Sequence, residues 1–160
     1  MLLKLLPGAG HLQNLHPLLI HFPIAFLLGS AFFYFAAWIL RRDSLQGIAF
    51  AMLTLGAISS AAAVGTGLYA ESGVMISRSV RANLLIKHKD LMLAAASLSW
   101  GLTIWASLSR SLPSRGRIVF LLLFLVLLGM LVCGTDYGGR MVYDYNAGGN
   151  ACPQPIDFAK

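Results

Sequence analysis

The side chains in this 160-residue chain best suited to coordination chemistry are four histidines, His11, His16, His21 and His88. A neutral imidazole offers one nitrogen lone pair to a metal and one N–H to a second partner. His16 and His21 stand in HPLLIHFPIAF at 16–26, where the first long apolar run begins, and His88 stands in LIKHKDLM, just before the third. On a regular helix, residues five apart differ by about 140° in direction. His16 and His21 therefore do not share a face, unlike an i, i+4 zinc pair. Two imidazoles from two helices suit the iron of a haem, one axial nitrogen from each. His21 and His88 are the preferred pair, arriving from different helices at similar depth with His21 about a turn deeper. His16 with His88 is the alternative, nearer the surface. Ionisable groups at membrane depth are functional candidates by default. The plainer reading, a ring that caps a helix or binds a headgroup, is the one taken for His11. No third and fourth ligand stands at a spacing that favours a bare metal ion. Ser59, Ser60 and Cys133 lie in apolar segments with no base at an arguable spacing, which disfavours a hydrolase.

These rings must be carried by membrane helices. Hydrophobic residues make up 58% of the chain and charged residues only 11%, whereas a soluble domain has about a quarter charged. Four stretches, 18–40, 48–70, 91–108 and 118–134, contain no Asp, Glu, Lys or Arg. Each approaches the roughly 20 residues that a helix needs to cross the hydrocarbon. Backbone groups find no partners there, so the spans must be helices. The expected fold is an all-α bundle of four transmembrane helices, near 17–40, 48–70, 89–109 and 117–136. Residues 1–160 form one integral membrane domain with a short tail, 137–160. MLLKLLPGAG has one Lys and a short apolar patch broken by Pro7, and it reads as an arm rather than a cleaved signal. The segment VMISRSVRANLLIKH suits a short amphipathic helix on the membrane surface. Cys133 and Cys152, the two cysteines, show no metal-finger spacing and do not by themselves argue a disulfide.

The connections 41–47 and 109–117 share one side and carry Arg41, Arg42, Arg110, Arg115 and Arg117 against Asp43 alone. The other side has more basic residues but spreads them over three longer segments. Short loops dominate the positive-inside effect, so both termini are expected on the external, periplasmic side of a bacterial inner membrane. The net charge of +6 reads as loop charge facing anionic headgroups and not as a nucleic-acid arm.

All four histidines then share the external end, where helices one and three begin. Pro17 suits a first helical turn. Pro23 comes early in the helix and loosens the turns around it. In helix two, Ser59, Ala63 and Gly67 form one small-residue stripe, and Gly56 and Ser60 another. Such stripes let helices approach closely in lipid. The sharper reading is a ligand near Gly65 or Gly67. In the tail, Arg140 has the fork to hold a haem propionate. Its plainer partners are Asp136, Asp144 or a lipid phosphate. Glu71 is a candidate to orient a histidine through its second N–H.

HPLLIHFPIA resembles the HPxxxHFPI signature of an uncharacterised bacterial membrane-protein family, the domain of unknown function 2231. The likeness extends to Gly67, to IKHKD around His88 and to GGRMVYDYNAG at 138–148, so it spans nearly the whole chain. The resemblance implies a small four-helix membrane protein, some relatives being associated with c-type cytochromes or redox enzymes. The functional expectation is a haem b subunit passing electrons between quinone, or a membrane redox enzyme, and an external-side cytochrome. The alternative is a cofactor-free structural or assembly subunit of a larger membrane complex. A small transporter using the histidines is a third, thinner reading.

Overall fold

A computed structural model describes residues 15–74 and 76–147. Its architecture is four long helices: α1 (His16–Leu40), α2 (Ser44–Glu71), α3 (Arg78–Leu108) and α4 (Arg117–Tyr145). No strand occurs among the described residues. All four are long and apolar enough to span a bilayer. The outward faces agree, since Phe32, Ile39, Ile118 and Val132 are each at least 65% exposed. A soluble monomer does not display apolar patches on that scale. The chain is a multi-pass membrane protein.

The helices pair as two hairpins, α1 with α2 and α3 with α4. The hairpins meet mainly along α2 and α3 and less along α1 and α4. Small residues set the close approaches. A Cβ on Gly56 would fall 2.6 Å from Leu27 Cδ2, so the bare glycine lets α1 close on α2, and Leu27 is buried there. Ser60 and Ser99 join α2 to α3 by an Oγ–Oγ contact of 3.3 Å; each has one proton, so one hydroxyl donates across while the other donates to its own helix, at Ala57 O for Ser60 or Ala96 O for Ser99. The widest core layer lies towards the other end. There Tyr34 packs edge-on against Phe120 at 5.1 Å between ring centroids, and Trp105 meets Phe120 at 5.6 Å.

The two connections at that end are stitched together. Ser111 Oγ donates to Gln46 O at 2.8 Å, and Leu112 N donates to Gln46 Oε1 at 3.3 Å. Arg41 ends α1 in a left-handed conformation, with φ 52°. Gly116 precedes α4 with φ +79°, facing Trp105 so closely that an added Cβ would lie 2.9 Å from its ring.

At the histidine end, α3 and α4 run past the hydrophobic runs seen in the sequence. The segment expected as a separate surface helix is instead the start of α3. It passes through a π-helical stretch, Arg81–Leu85, before regular winding resumes. Val80, Leu84 and Leu85 pack with Met141 of α4 into a small second core. These overhangs bury their apolar residues against each other, so they need no lipid. His88 lies about 30 Å of helical rise from Leu108, a length that matches a hydrocarbon slab about 30 Å thick.

Candidate functional site

Pro17 occupies the first turn of α1, where its missing N–H costs nothing. Pro23, buried, cannot donate to the turn before it, and the winding breaks at Ile20 between His16–Leu19 and His21–Leu40. The next bond, Ile24 N to Ile20 O, is stretched to 3.5 Å. This loosened entry decides where the two rings of the motif go. His21 is exposed, with Nδ1 3.4 Å from Leu18 O of its own turn. His16 turns into the bundle. Its Nδ1 lies 3.0 Å from Ala63 O and 3.3 Å from Thr66 Oγ1, both on α2.

His88 makes the matching arrangement in the other hairpin. Its Nδ1 lies 2.7 Å from Gly134 O on α4. A carbonyl only accepts, so Nδ1 of each ring carries the proton and Nε2 carries the lone pair. The two rings lie in a T-shaped, edge contact, with centroids 6.5 Å apart and planes at 84°. The preferred pair of the sequence reading, His21 with His88, is therefore not the one brought together. The structure joins His16 to His88, because the break at Ile20 and the depth of Ala63 select the outer ring.

Each ring rests on a glycine. A Cβ on Gly67 would lie 2.9 Å from His16 Cε1, and a Cβ on Gly138 would lie 3.1 Å from His88 Cε1. The carbonyl and the glycine are four residues apart in both cases, Ala63 with Gly67 and Gly134 with Gly138. The ring and the carbonyl it binds are 47 residues apart in the first hairpin and 46 in the second. The two hairpins thus repeat one device: an imidazole at the start of the odd helix, anchored on a carbonyl and a glycine of the even helix. Repeats entering from the same end are related by an axis along the membrane normal, and the paired rings meet between them. Gly67 was legible from its small-residue stripe. Gly138 was visible as a tail glycine, but its role as the counterpart of Gly67 was missed. The nearly equal spacings of 46 and 47 were the signal that could have found it.

The surrounding charges have other partners. Glu71, a candidate to orient a histidine, instead accepts from Lys89 Nζ at 2.9 and 3.1 Å, with Arg81 at 3.8 Å. This ion pair ties the end of α2 to α3 beside His88. The orienting groups of the rings are backbone carbonyls, which serve the same purpose as carboxylates. Arg140 is exposed and faces Asp144 at 3.8 Å. Lys87 Nζ stands 5.8 Å from the Tyr137 ring centroid. Tyr69 and Tyr143 are exposed, as suits an interfacial belt. Cys133, next to Gly134, is exposed on α4. Among the described residues no group of three or more His, Cys, Asp or Glu is placed to hold a metal ion. His11, Cys152 and residues 148–160 of the tail lie outside the described residues.

Four membrane helices with two backbone-anchored imidazoles close together at one end define the class: a small helical membrane protein with a histidine pair between its two hairpins. A family model described as "Predicted membrane protein (DUF2231)" matches residues 12–151, and the chain belongs to that family. Neither the curated proteins nor the solved structures compared with it give a match.

Proposed function

We propose that His16 and His88 are the axial ligands of one haem b, and that the protein is a membrane electron-transfer subunit. The observation that carries this reading is the close approach of the two rings from separate hairpins. A metal held by two imidazole nitrogens at about 2 Å each leaves the ring centroids roughly 6 Å apart, close to the 6.5 Å found. Both rings present the Nε2 lone pair, because backbone carbonyls fix the proton on Nδ1. Anchoring on carbonyls also holds the rings in orientation and raises their basicity as ligands. Gly67 and Gly138 keep the walls beside the rings free of side chains. A haem so ligated supplies one-electron chemistry at its iron, its potential tuned by axial ligands and burial. The residues here hold the rings, exclude side chains from them and place the centre at one membrane face. That position suits exchange with a quinone or membrane redox enzyme on the lipid side and with a c-type cytochrome on the aqueous side. The matching compartment is the bacterial inner membrane with this end external. Arg140, exposed and facing Asp144, lies two residues past Gly138 and so about 200° round α4 from the face that meets His88, and it is not needed as a propionate partner.

The test is a reduced-minus-oxidised absorbance spectrum of the folded protein, expressed with adequate haem. A b-type spectrum at one haem per chain is expected. A colourless, well-folded preparation would refute the reading and favour a cofactor-free assembly subunit.

A further inference from the structure

The end of the bundle remote from the histidines carries its own binding feature. A groove of about 400 Å³ lies there, lined by Trp38, Ser114, Gly116, Arg117, Ile118 and Val119. Arg117 Nε is buried beside it and has no hydrogen-bond partner among the described residues. No ion pair there involves Arg117 either. Nε is closed over by protein atoms, but Arg117 is only partly buried and lines the groove, so the remaining N–H groups of its guanidinium are the donors open to an acceptor from outside the chain.

The rest of the groove says which kind. Its outer wall is apolar and faces the bilayer: Ile118 is 67% exposed, Val119 53% and Trp38 44%. Tryptophan at this position marks headgroup depth. The surrounding connections hold Arg41, Arg42, Arg110 and Arg115 as well, with Asp43 as the lone acid, and Asp43 is already engaged by Gln46 Nε2 at 2.6 Å. A soluble anion makes no use of the hydrocarbon-facing wall. A zwitterionic lipid brings a cation into a field that is already positive. We infer that this groove binds one anionic phospholipid, its phosphodiester accepting from Arg117 and an acyl chain lying along Ile118 and Val119.

Native mass spectrometry of the full chain released from detergent tests this, with phosphatidylglycerol, phosphatidylcholine or inorganic phosphate added. The comparison uses wild type, Arg117→Gln, Arg117→Lys and the exposed control Arg115→Gln. Wild type is expected to retain one phosphatidylglycerol in preference to phosphatidylcholine. Arg117→Gln should weaken that retention by about tenfold, the worth of a lost charge-assisted bond, while Arg115→Gln stays near wild type. If Arg117→Gln does not fold, Arg117→Lys decides, since it keeps the charge but loses the planar guanidinium fork that matches a phosphodiester and must lose most of the preference. Equal losses in Arg117→Gln and Arg115→Gln overturn the inference in favour of diffuse charge attraction. Loss of the lipid to millimolar inorganic phosphate, or equal retention of both lipids, overturns it as well.

Discussion

Replacing Gly138 with alanine sets two measurable effects against each other. Within a helix, alanine is favoured over glycine by about 1 kcal/mol. At Gly138, however, the new methyl would lie 3.1 Å from His88 Cε1 and 3.2 Å from Nδ1, where carbon contacts prefer about 3.5–4.0 Å. The ring must slide by roughly half an ångström to restore that contact. It has little freedom to do so, because Nδ1 is held 2.7 Å from Gly134 O. Overpacking of this kind costs about 1–3 kcal/mol, and weakening the bond adds about 1 kcal/mol. The net expectation for Gly138→Ala is a loss of about 1–3 kcal/mol after the helix gain is subtracted. Gly129 lies on the same helix with nothing within 4 Å of its missing Cβ, so Gly129→Ala should gain about 0.5–1 kcal/mol. The readout is the stability difference between the two variants in detergent, about 2 kcal/mol by this reasoning. Gly67→Ala, with its methyl 2.9 Å from His16 Cε1, should fall at least as far as Gly138→Ala. Equal stability of Gly138→Ala and Gly129→Ala would show that the ring does not rest on the glycine.

Three further outcomes are expected. Gly116→Ala should lower stability by about 1–2 kcal/mol from its left-handed backbone alone, with more from contact with Trp105, and a thermal melt reads the sum. A double-mutant cycle of Ser60→Ala and Ser99→Ala should give a coupling near 0.6 kcal/mol, the mean for hydrogen bonds between membrane helices; a hydroxyl left without its partner can turn back to its own helix, so each single change should be mild. Glu71→Gln should cost about 0.2–1 kcal/mol at low salt and less at high salt, because the pair with Lys89 is partly exposed; unfolding curves at two ionic strengths separate this from a packing effect.

The sequence readily disclosed the four helices, because hydrocarbon leaves the backbone no other solution. Hydropathy says little about where such helices stop. The charges in SRSVRANLLIKHKD interrupt the apolar run, yet α3 continues through them, because Val80, Leu84 and Leu85 find Met141 instead of lipid. Of the site, His88 and the HPLLIHFPI motif were legible as chemistry out of place in an apolar setting. The choice between His16 and His21 was not. On a regular helix both point off one face or another, and only the break before Pro23 and the carbonyl of Ala63 decide which ring enters the bundle. Gly138 escaped for a related reason: a glycine beside a ring looks like any other until the partner helix is placed.

The central claim is that His16 and His88, and not His21, form one centre. Electron paramagnetic resonance of the oxidised protein tests it most directly, comparing wild type with His16→Ala, His88→Ala and His21→Ala. Wild type and His21→Ala should both show a low-spin ferric haem, and its signal should be strongly axial because the ring planes stand at 84°. His16→Ala and His88→Ala should each turn high-spin or lose the haem. A low-spin signal that survives in His16→Ala and vanishes in His21→Ala would contradict the account.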